Sequence, residues 1–365
     1  MQIRRVAILG IDLPSQHVAK FMANIGISVA LYYTDDKDVL YQDVVDNIGY
    51  PIQINTLENN IDSLKFADLI IDSMTNSVKD KCLLYNKIVE YINIDTIIAL
   101  NSTVISLSTL CDKLSSKISK RLIVAHFSYM FKNSNLIEYV VHSGNSGNVL
   151  AVFREFCEGK LNKKVILCND IAGLLIDRMG YFWIIISLIN SYNFKIDVDI
   201  VDRIINEHIC NSKLGIFRLL DSIGLDIFIL KLKELVSIIS KDDLLFVAYT
   251  QIPEIIFQMI SDKVTGYNGL NGGFYRKYDT YNGNVNQTLD LSTGLYKAEN
   301  VDYNVDILRN SKYKNFICSI LSSISTYAVY IAEVTRSDIL VIDDIVKLGF
   351  AWKNGLLELS NRFDI

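Results

Sequence analysis

Three prolines in 365 residues, and no Gly/Ser-rich or other low-complexity stretch, leave no segment that reads as a linker. Internal repeats are not visible. The net charge is −5, yet no long run of either sign occurs. A nucleic-acid surface needs clustered Lys and Arg to neutralise phosphates, and no such cluster is present, so no nucleic-acid partner is expected. The six cysteines (Cys82, Cys111, Cys157, Cys168, Cys210, Cys318) are scattered, without the C-x-x-C or His/Cys spacing of a zinc site. Reduced, mostly buried thiols and no metal are the expectation. The start, MQIRRVAILGIDLPS, has too short an apolar run for a secretory signal. The longest uncharged apolar stretch, residues 316–332, carries five serines and threonines and is shorter than the ~20 residues of a membrane span. It reads as a buried helix of a soluble, cytoplasmic protein with no membrane partner.

What is there is apolar and patterned. Half of the residues are hydrophobic and 21% are charged, the balance of a folded chain. At ~100–200 residues per domain, the length suggests two. In the first part, short apolar runs alternate with helical spacing. Residues 5–11 (RVAILGI), 28–33 (SVALYY), 67–73 (ADLIIDS), 96–101 (TIIALN) and 121–126 (RLIVAH) read as strands. Residues 136–141 and 164–168 are further candidates. Helical patterns fall at 17–25, 78–92, 106–114 and between the last two strands. Such alternation implies right-handed βαβ crossovers and a doubly wound parallel sheet. After Asn169 the signal turns helical, at 172–191, 198–209, 227–237 and 315–332. The expected architecture is therefore an α/β domain over 1–169 and a mainly α-helical domain over 170–365. Ligands of such sheets bind beyond the strand C-termini. That directs attention to residues 10–15, Tyr33, residues 73–76 and 101–103, and His126.

A dinucleotide fingerprint, G-x-G-x-x-G, uses its glycines for a tight turn, close backbone approach to pyrophosphate, and helix–strand packing. Here the first glycine is Gly10. The second position is Asp12, which adds a side chain and a negative charge where pyrophosphate approaches. The third is Ser15, a small replacement. The acid that binds ribose hydroxyls at the end of the second strand is replaced by Tyr33, with Asp35 and Asp36 slightly further on. Two readings stay open: retained dinucleotide binding, or a purely structural turn. His126 closes the fifth strand, and Glu138 follows twelve residues later within an apolar run. An imidazole suits general acid–base work and a carboxylate can orient it, although a lone histidine at a strand end is more often structural.

Residues 67–175 resemble the 3-hydroxyacyl-CoA dehydrogenase family almost throughout. ADLIIDSMTNSVKDK is similar to its ADLVIEAV-x-E-x-x-x-x-K, LNSTVISLSTL to T-N-T-S-S-L-x-I, LIVAHFSYMFKNSNLIEYV to G-L-H-F-F-N-P-x-x-x-x-L-V-E-V, and NDIAGLLIDRMG to D-x-P-G-F-I-x-N-R-x. The likeness continues in FRLLDSIGLD, GLNGGFYRKYD and GFAWKNGLLEL, the pattern of a branch often fused to an enoyl-CoA hydratase. This chain stops where that region would begin.

The resemblance implies a Rossmann-like NAD-binding domain and a helical substrate and dimerisation domain. It implies NAD as cofactor and oxidation of an L-3-hydroxyacyl-CoA in fatty acid β-oxidation. His126 matches the base that takes the 3-hydroxyl proton, and Glu138 its orienting partner. Thr103 matches a substrate-binding serine and keeps a hydroxyl. Asp177 stands where the family has an asparagine on the substrate carbonyl; a carboxylate cannot donate that hydrogen bond. Tyr129 and Met130 replace Asn-Pro, a nicotinamide-side glutamate becomes Asn76, and the lysine five residues on survives as Lys81. Implied partners are an acyl-CoA, a second copy of the chain and a separate enoyl-CoA hydratase. The alternative is a catalytically lapsed relative that binds acyl-CoA or serves as a structural partner. Gly173, Gly224 and the 266–273 region read as packing and turn glycines. Asp177 paired with Arg178 or another base, as a purely structural ion pair, is a further reading.

Overall fold

A computed structural model describes residues 2–34, 52–74, 77–127, 134–210, 214–280, 283–300 and 309–365. Asp35, Asp36, Asn76, Tyr129 and Met130 lie outside the described residues. The chain divides into two compact units, Met1–Leu174 and Leu175–Ile365.

The first unit is built on an eight-stranded sheet in the order β3-β2-β1-β4-β5-β6-β7-β8. The strands are β1 (Arg5–Leu9), β2 (Ser28–Tyr33), β3 (Gln53–Thr56), β4 (Leu69–Asp72), β5 (Ile97–Leu100), β6 (Leu122–Ala125), β7 (Leu136–Val140) and β8 (Lys164–Leu167). β1 to β6 run parallel, β7 turns back antiparallel against β6, and β8 runs parallel to β7. The order 3-2-1-4-5-6 is that of a doubly wound sheet, with its switch point between β1 and β4. β4, β5 and β6 are buried at every position, as unbroken apolar runs covered on both faces require. Ile8, Leu31, Ile71, Ala99, Ile123 and Ile137 pack with Val18, Ala19 and Met22 of α1 (Leu13–Asn24). Each of the Ile, Leu, Val and Met side chains contributes about 1.5–3 kcal/mol relative to exposure. Strand β3 escapes the sequence pattern because it is a four-residue edge strand, QINT, with no buried position.

The helices of this unit that matter for the site are α2 (Val78–Ile88), capped by Ser77, and α3 (Leu107–Cys111), capped by Ser106. The segment leaving β8 belongs to the sheet unit although its sequence reads as helical. Asp170 accepts hydrogen bonds from Ser106 Oγ, Leu107 N and Ser108 N at 2.8, 3.0 and 2.8 Å, and Gly173 N donates to Thr103 O at 3.1 Å. These ties carry the unit boundary past Asn169.

The second unit is mainly helical. Its long helices α4 (Leu175–Phe194) and α5 (Ser311–Thr335) pack together, with Phe182 stacked on Tyr327 at 4.2 Å between ring centroids. By length and composition α5 could cross a membrane. Its apolar stripe of Phe316, Ile320, Ile324, Tyr327 and Ile331 is instead buried in the unit, the spacing of a core-facing amphipathic helix. A small antiparallel sheet of β9 (Tyr275–Thr280), β10 (Gly283–Leu289) and β11 (Tyr296–Ala298) interrupts the helices; its polar, Asn- and Tyr-rich sequence carries no helical or apolar signature. Asp221 of FRLLDSIGLD accepts from Phe274 N and Tyr275 N of GLNGGFYRKYD, both at 2.8 Å. Gly273 permits this approach, since a Cβ there would lie 2.1 Å from the Asp221 carboxylate.

Candidate functional site

The turn after β1 is a glycine turn in substance. Gly10 has φ +124°, and a Cβ there would sit 3.3 Å from the Ser73 Cβ. Only glycine adopts this backbone without strain. Gly10 N donates to Tyr32 O at 2.8 Å and Ser73 N to Leu9 O at 2.8 Å, so the turn is fixed to both neighbouring strands. Ser15, at the third fingerprint position, is buried on the first turn of α1, and no described residue hydrogen-bonds its Oγ. Asp12 is the N-cap of α1: its carboxylate accepts from Ser15 N at 3.1 Å. A helix N-terminus with free N–H groups attracts anions, and here the chain supplies its own. The turn therefore fits a dinucleotide at Gly10 and Ser15, while Asp12 brings a charge of the wrong sign. Tyr33 ends β2, half-buried against the core.

Lys81 stands on α2, the helix that follows β4. It is wholly buried, with Nζ 2.7 Å from Asp72 Oδ1. Tyr85 Oη donates to Asp72 Oδ2 at 2.7 Å, and Met74 N donates to Oδ1 at 3.1 Å. Burial and the adjacent Asp72 carboxylate push the Tyr85 hydroxyl well above the usual tyrosine range. This cluster ties α2 to the end of β4.

His126 and Glu138 are brought together by the antiparallel turn-back of the sheet. The β6–β7 register pairs Val124 with Val140 and Ala125 with Tyr139. One step further, His126 N donates to Glu138 O at 2.8 Å. Residues directly opposite in an antiparallel ladder project from the same face with Cβ atoms about 4.5–5.5 Å apart. The antiparallel register thus sets His126 and Glu138 opposite each other on one face of the sheet. Glu138 is fully buried and His126 half-buried. The Cys168 thiol hydrogen-bonds Glu138, and burial together with that carboxylate holds its pKa well above the usual thiol range.

Thr103 sits on the loop between β5 and α3, half-buried, its carbonyl held by Gly173 N. Asp177 belongs to the second unit, in the first turn of α4. The neighbouring Arg178 forms a buried ion pair with Asp243 and donates from Nε to Tyr327 Oη at 3.1 Å. The first unit thus gathers the Gly10 turn, Ser73, Asn101, Thr103, His126 and Glu138 at or near the C-terminal ends of its parallel strands and on β7. Residue-type reasoning assigned no role to Asn101, Asp170, Asp72 or Cys168, although Asn101 stands at a strand C-terminus and so carried a positional signal.

Residues 40–171 match the family model described as 3-hydroxyacyl-CoA dehydrogenase, NAD binding domain. The matched stretch begins after β2 and so excludes the altered glycine turn. A putative fatty acid oxidation complex trifunctional enzyme of Rickettsia prowazekii is 26% identical over 98% of this chain and 53% of its own length. A probable 3-hydroxyacyl-CoA dehydrogenase of Bacillus subtilis is 22% identical over 98% of this chain and 50% of its own. The chain spans about half the length of these relatives. Among solved structures, the dehydrogenase part of multifunctional enzyme 1 from C. elegans superposes with TM-score 0.66 at 18% identity, over 99% of this chain and 84% of that one. The 3-hydroxybutyryl-CoA dehydrogenase of Escherichia coli K12 gives 0.65 at 14% identity, over 99% and 92%. These likenesses concern the fold.

Proposed function

We propose that this chain, whose residues 40–171 match the NAD binding domain model of the 3-hydroxyacyl-CoA dehydrogenases, is a member of that family and interconverts an L-3-hydroxyacyl-CoA and its 3-oxoacyl counterpart, with NAD as cofactor, in fatty acid oxidation. The observation that carries this reading is the His126–Glu138 cross-strand pair at the end of β6. His126 accepts the proton of the substrate 3-hydroxyl in one direction and returns it in the other. Glu138, held in a dry setting, fixes the orientation of the imidazole and stabilises its cation. Thr103 supplies a hydroxyl for the substrate oxygen. The Gly10 turn, Ser15 and Tyr33 would hold the dinucleotide. NAD, when bound, supplies the hydride acceptor. The resemblance puts a carboxylate, Asp177, where a hydrogen-bond donor to the substrate carbonyl is expected, and a carboxylate cannot donate that bond, so slow turnover is part of the proposal. We place the activity in the cytoplasm, beside a separate enoyl-CoA hydratase.

The test is acetoacetyl-CoA-dependent oxidation of NADH by the purified protein, run beside His126→Gln. Turnover that vanishes in the variant supports the dehydrogenase. A folded protein with no turnover rejects it. The second reading is a catalytically lapsed acyl-CoA binder, favoured by Asp12, whose carboxylate sits at the N-terminus of α1. It predicts acyl-CoA binding by calorimetry with neither NADH binding nor turnover.

A further inference from the structure

The parallel pairing of β5 with β6 ends at Leu100 and Val124. Beyond it the two strands separate, and main-chain ladder bonds can no longer hold the segment that bears His126 on its β5 side. A side chain takes over there. Asn101 Oδ1 accepts from Phe127 N at 2.9 Å, and Asn101 Nδ2 lies 3.4 Å from Phe127 O. A primary amide has the donor and acceptor of a peptide group, so it can extend a ladder by one unit where the backbone itself departs. The main chain of His126 and Phe127 is thereby gripped on both sides: His126 N by Glu138 O, and Phe127 by Asn101.

The same amide reaches the other way. Asn101 Nδ2 donates to Ser73 Oγ at 3.0 Å. Ser73 follows β4, and its Cβ fills the space under Gly10. Asn101 N is in turn held by Asp72 O at 2.9 Å. A single half-buried side chain thus joins the glycine turn after β1, the end of β4 and the histidine-bearing end of β6.

We infer that Asn101 is the positioning residue of this site: it sets where His126 stands by gripping Phe127, and it ties that position to the Gly10 turn through Ser73. The inference rests on the reading of His126 as the base for its kinetic consequence, though not for its structural one. A reaction slows steeply when a reacting group is displaced by even an ångström, by about 100-fold.

The experiment uses the full-length chain and three variants, Asn101→Ala, Asn101→Ser and His126→Gln. Amide hydrogen exchange at Phe127 and Ala99 is measured together with the pH titration of the His126 imidazole by NMR, which His126→Gln assigns among four histidines. In Asn101→Ala the Phe127 amide exchanges at least about tenfold faster while Ala99 within β5 is unchanged, and the His126 titration moves. In the acetoacetyl-CoA assay kcat falls by about tenfold to 100-fold while KM stays within about threefold. Asn101→Ser, too short to reach Phe127 and Ser73 together, gives the same pattern should Asn101→Ala fail to fold. Unchanged Phe127 exchange and an unmoved His126 titration in a folded variant overturn the inference. Activity that survives His126→Gln overturns the assignment of the base instead, and leaves the exchange and titration results to decide on Asn101.

Discussion

The main-chain amide of His126 donates to the carbonyl of Glu138 at 2.8 Å, one step past the last formal pair of β6 and β7. The bond fixes the two residues opposite each other across an antiparallel ladder, on one face of the sheet.

Substitution of either member of this pair separates chemistry from folding. His126→Gln removes the proposed base from a half-buried position and lowers kcat by about 100-fold to 10,000-fold, with the melting temperature nearly unchanged. Glu138→Gln keeps the shape but loses the charge that supports an imidazolium, and lowers kcat while leaving KM close to its original value. Steady-state kinetics beside thermal melts checks both; equal loss of KM and stability would mark the pair as structural.

Asp12 caps α1 and at the same time places a carboxylate at the helix N-terminus. Asp12→Asn keeps an oxygen for Ser15 N and removes the charge, so NADH affinity rises about threefold to tenfold with stability held. Asp12→Gly gives a similar gain with a small loss of helix stability. Fluorescence titration of NADH measures both. No gain in either variant shifts responsibility to Tyr33.

Lys81→Met leaves the Asp72 carboxylate buried without its cation. Breaking a buried pair from one side costs about 3–5 kcal/mol, so denaturant unfolding of this variant falls steeply. A variant within 1 kcal/mol of the parent, on the order of a surface pair, would show that the cluster is not a structural tie.

Burial raises the Asp202 carboxyl to about 6 and the Asp221 carboxyl to about 7, in each case against the hydrogen bonds that favour its charge. In the unfolded chain both ionise near the ordinary value of 3.8. Between about pH 4 and 7 the folded chain therefore holds protons that the unfolded chain has released, and stability falls as pH rises through that window. Asp290, pulled down to about 2 chiefly by Ser292 and also by Lys297, stays ionised throughout it and does not oppose the trend. Thermal melts should give a higher Tm near pH 5 than near pH 7.5. Asp221→Asn flattens that difference, whatever it does to the absolute Tm.

Most of the sheet was legible because its strands are apolar runs closed by turns, and period and length suffice to find them. The pairing of His126 with Glu138 was legible only through the family motif, since spacing alone does not reveal that β7 runs backwards. Other parts depend on tertiary contacts that leave no local mark. β3 is too short and too polar to show. The burial of Lys81 depends on Asp72, nine residues away on another element, and a lysine is seldom expected inside. Asn101 is a common residue at a strand end; its importance lies in three partners contributed by two other strand ends.

The reversal of β7 has a consequence for how the protein fails. His126 belongs to the parallel part of the sheet and Glu138 to the reversed pair at its edge, so the pair straddles the seam between β6 and β7, where the ladder is short. Edge elements open more readily than central ones. Mild heating or low denaturant will part the seam while β1 to β6 remain paired, and the proposed activity will vanish before spectroscopic unfolding begins. Inactivation of this protein is then a gauge of one sheet edge rather than of the whole fold.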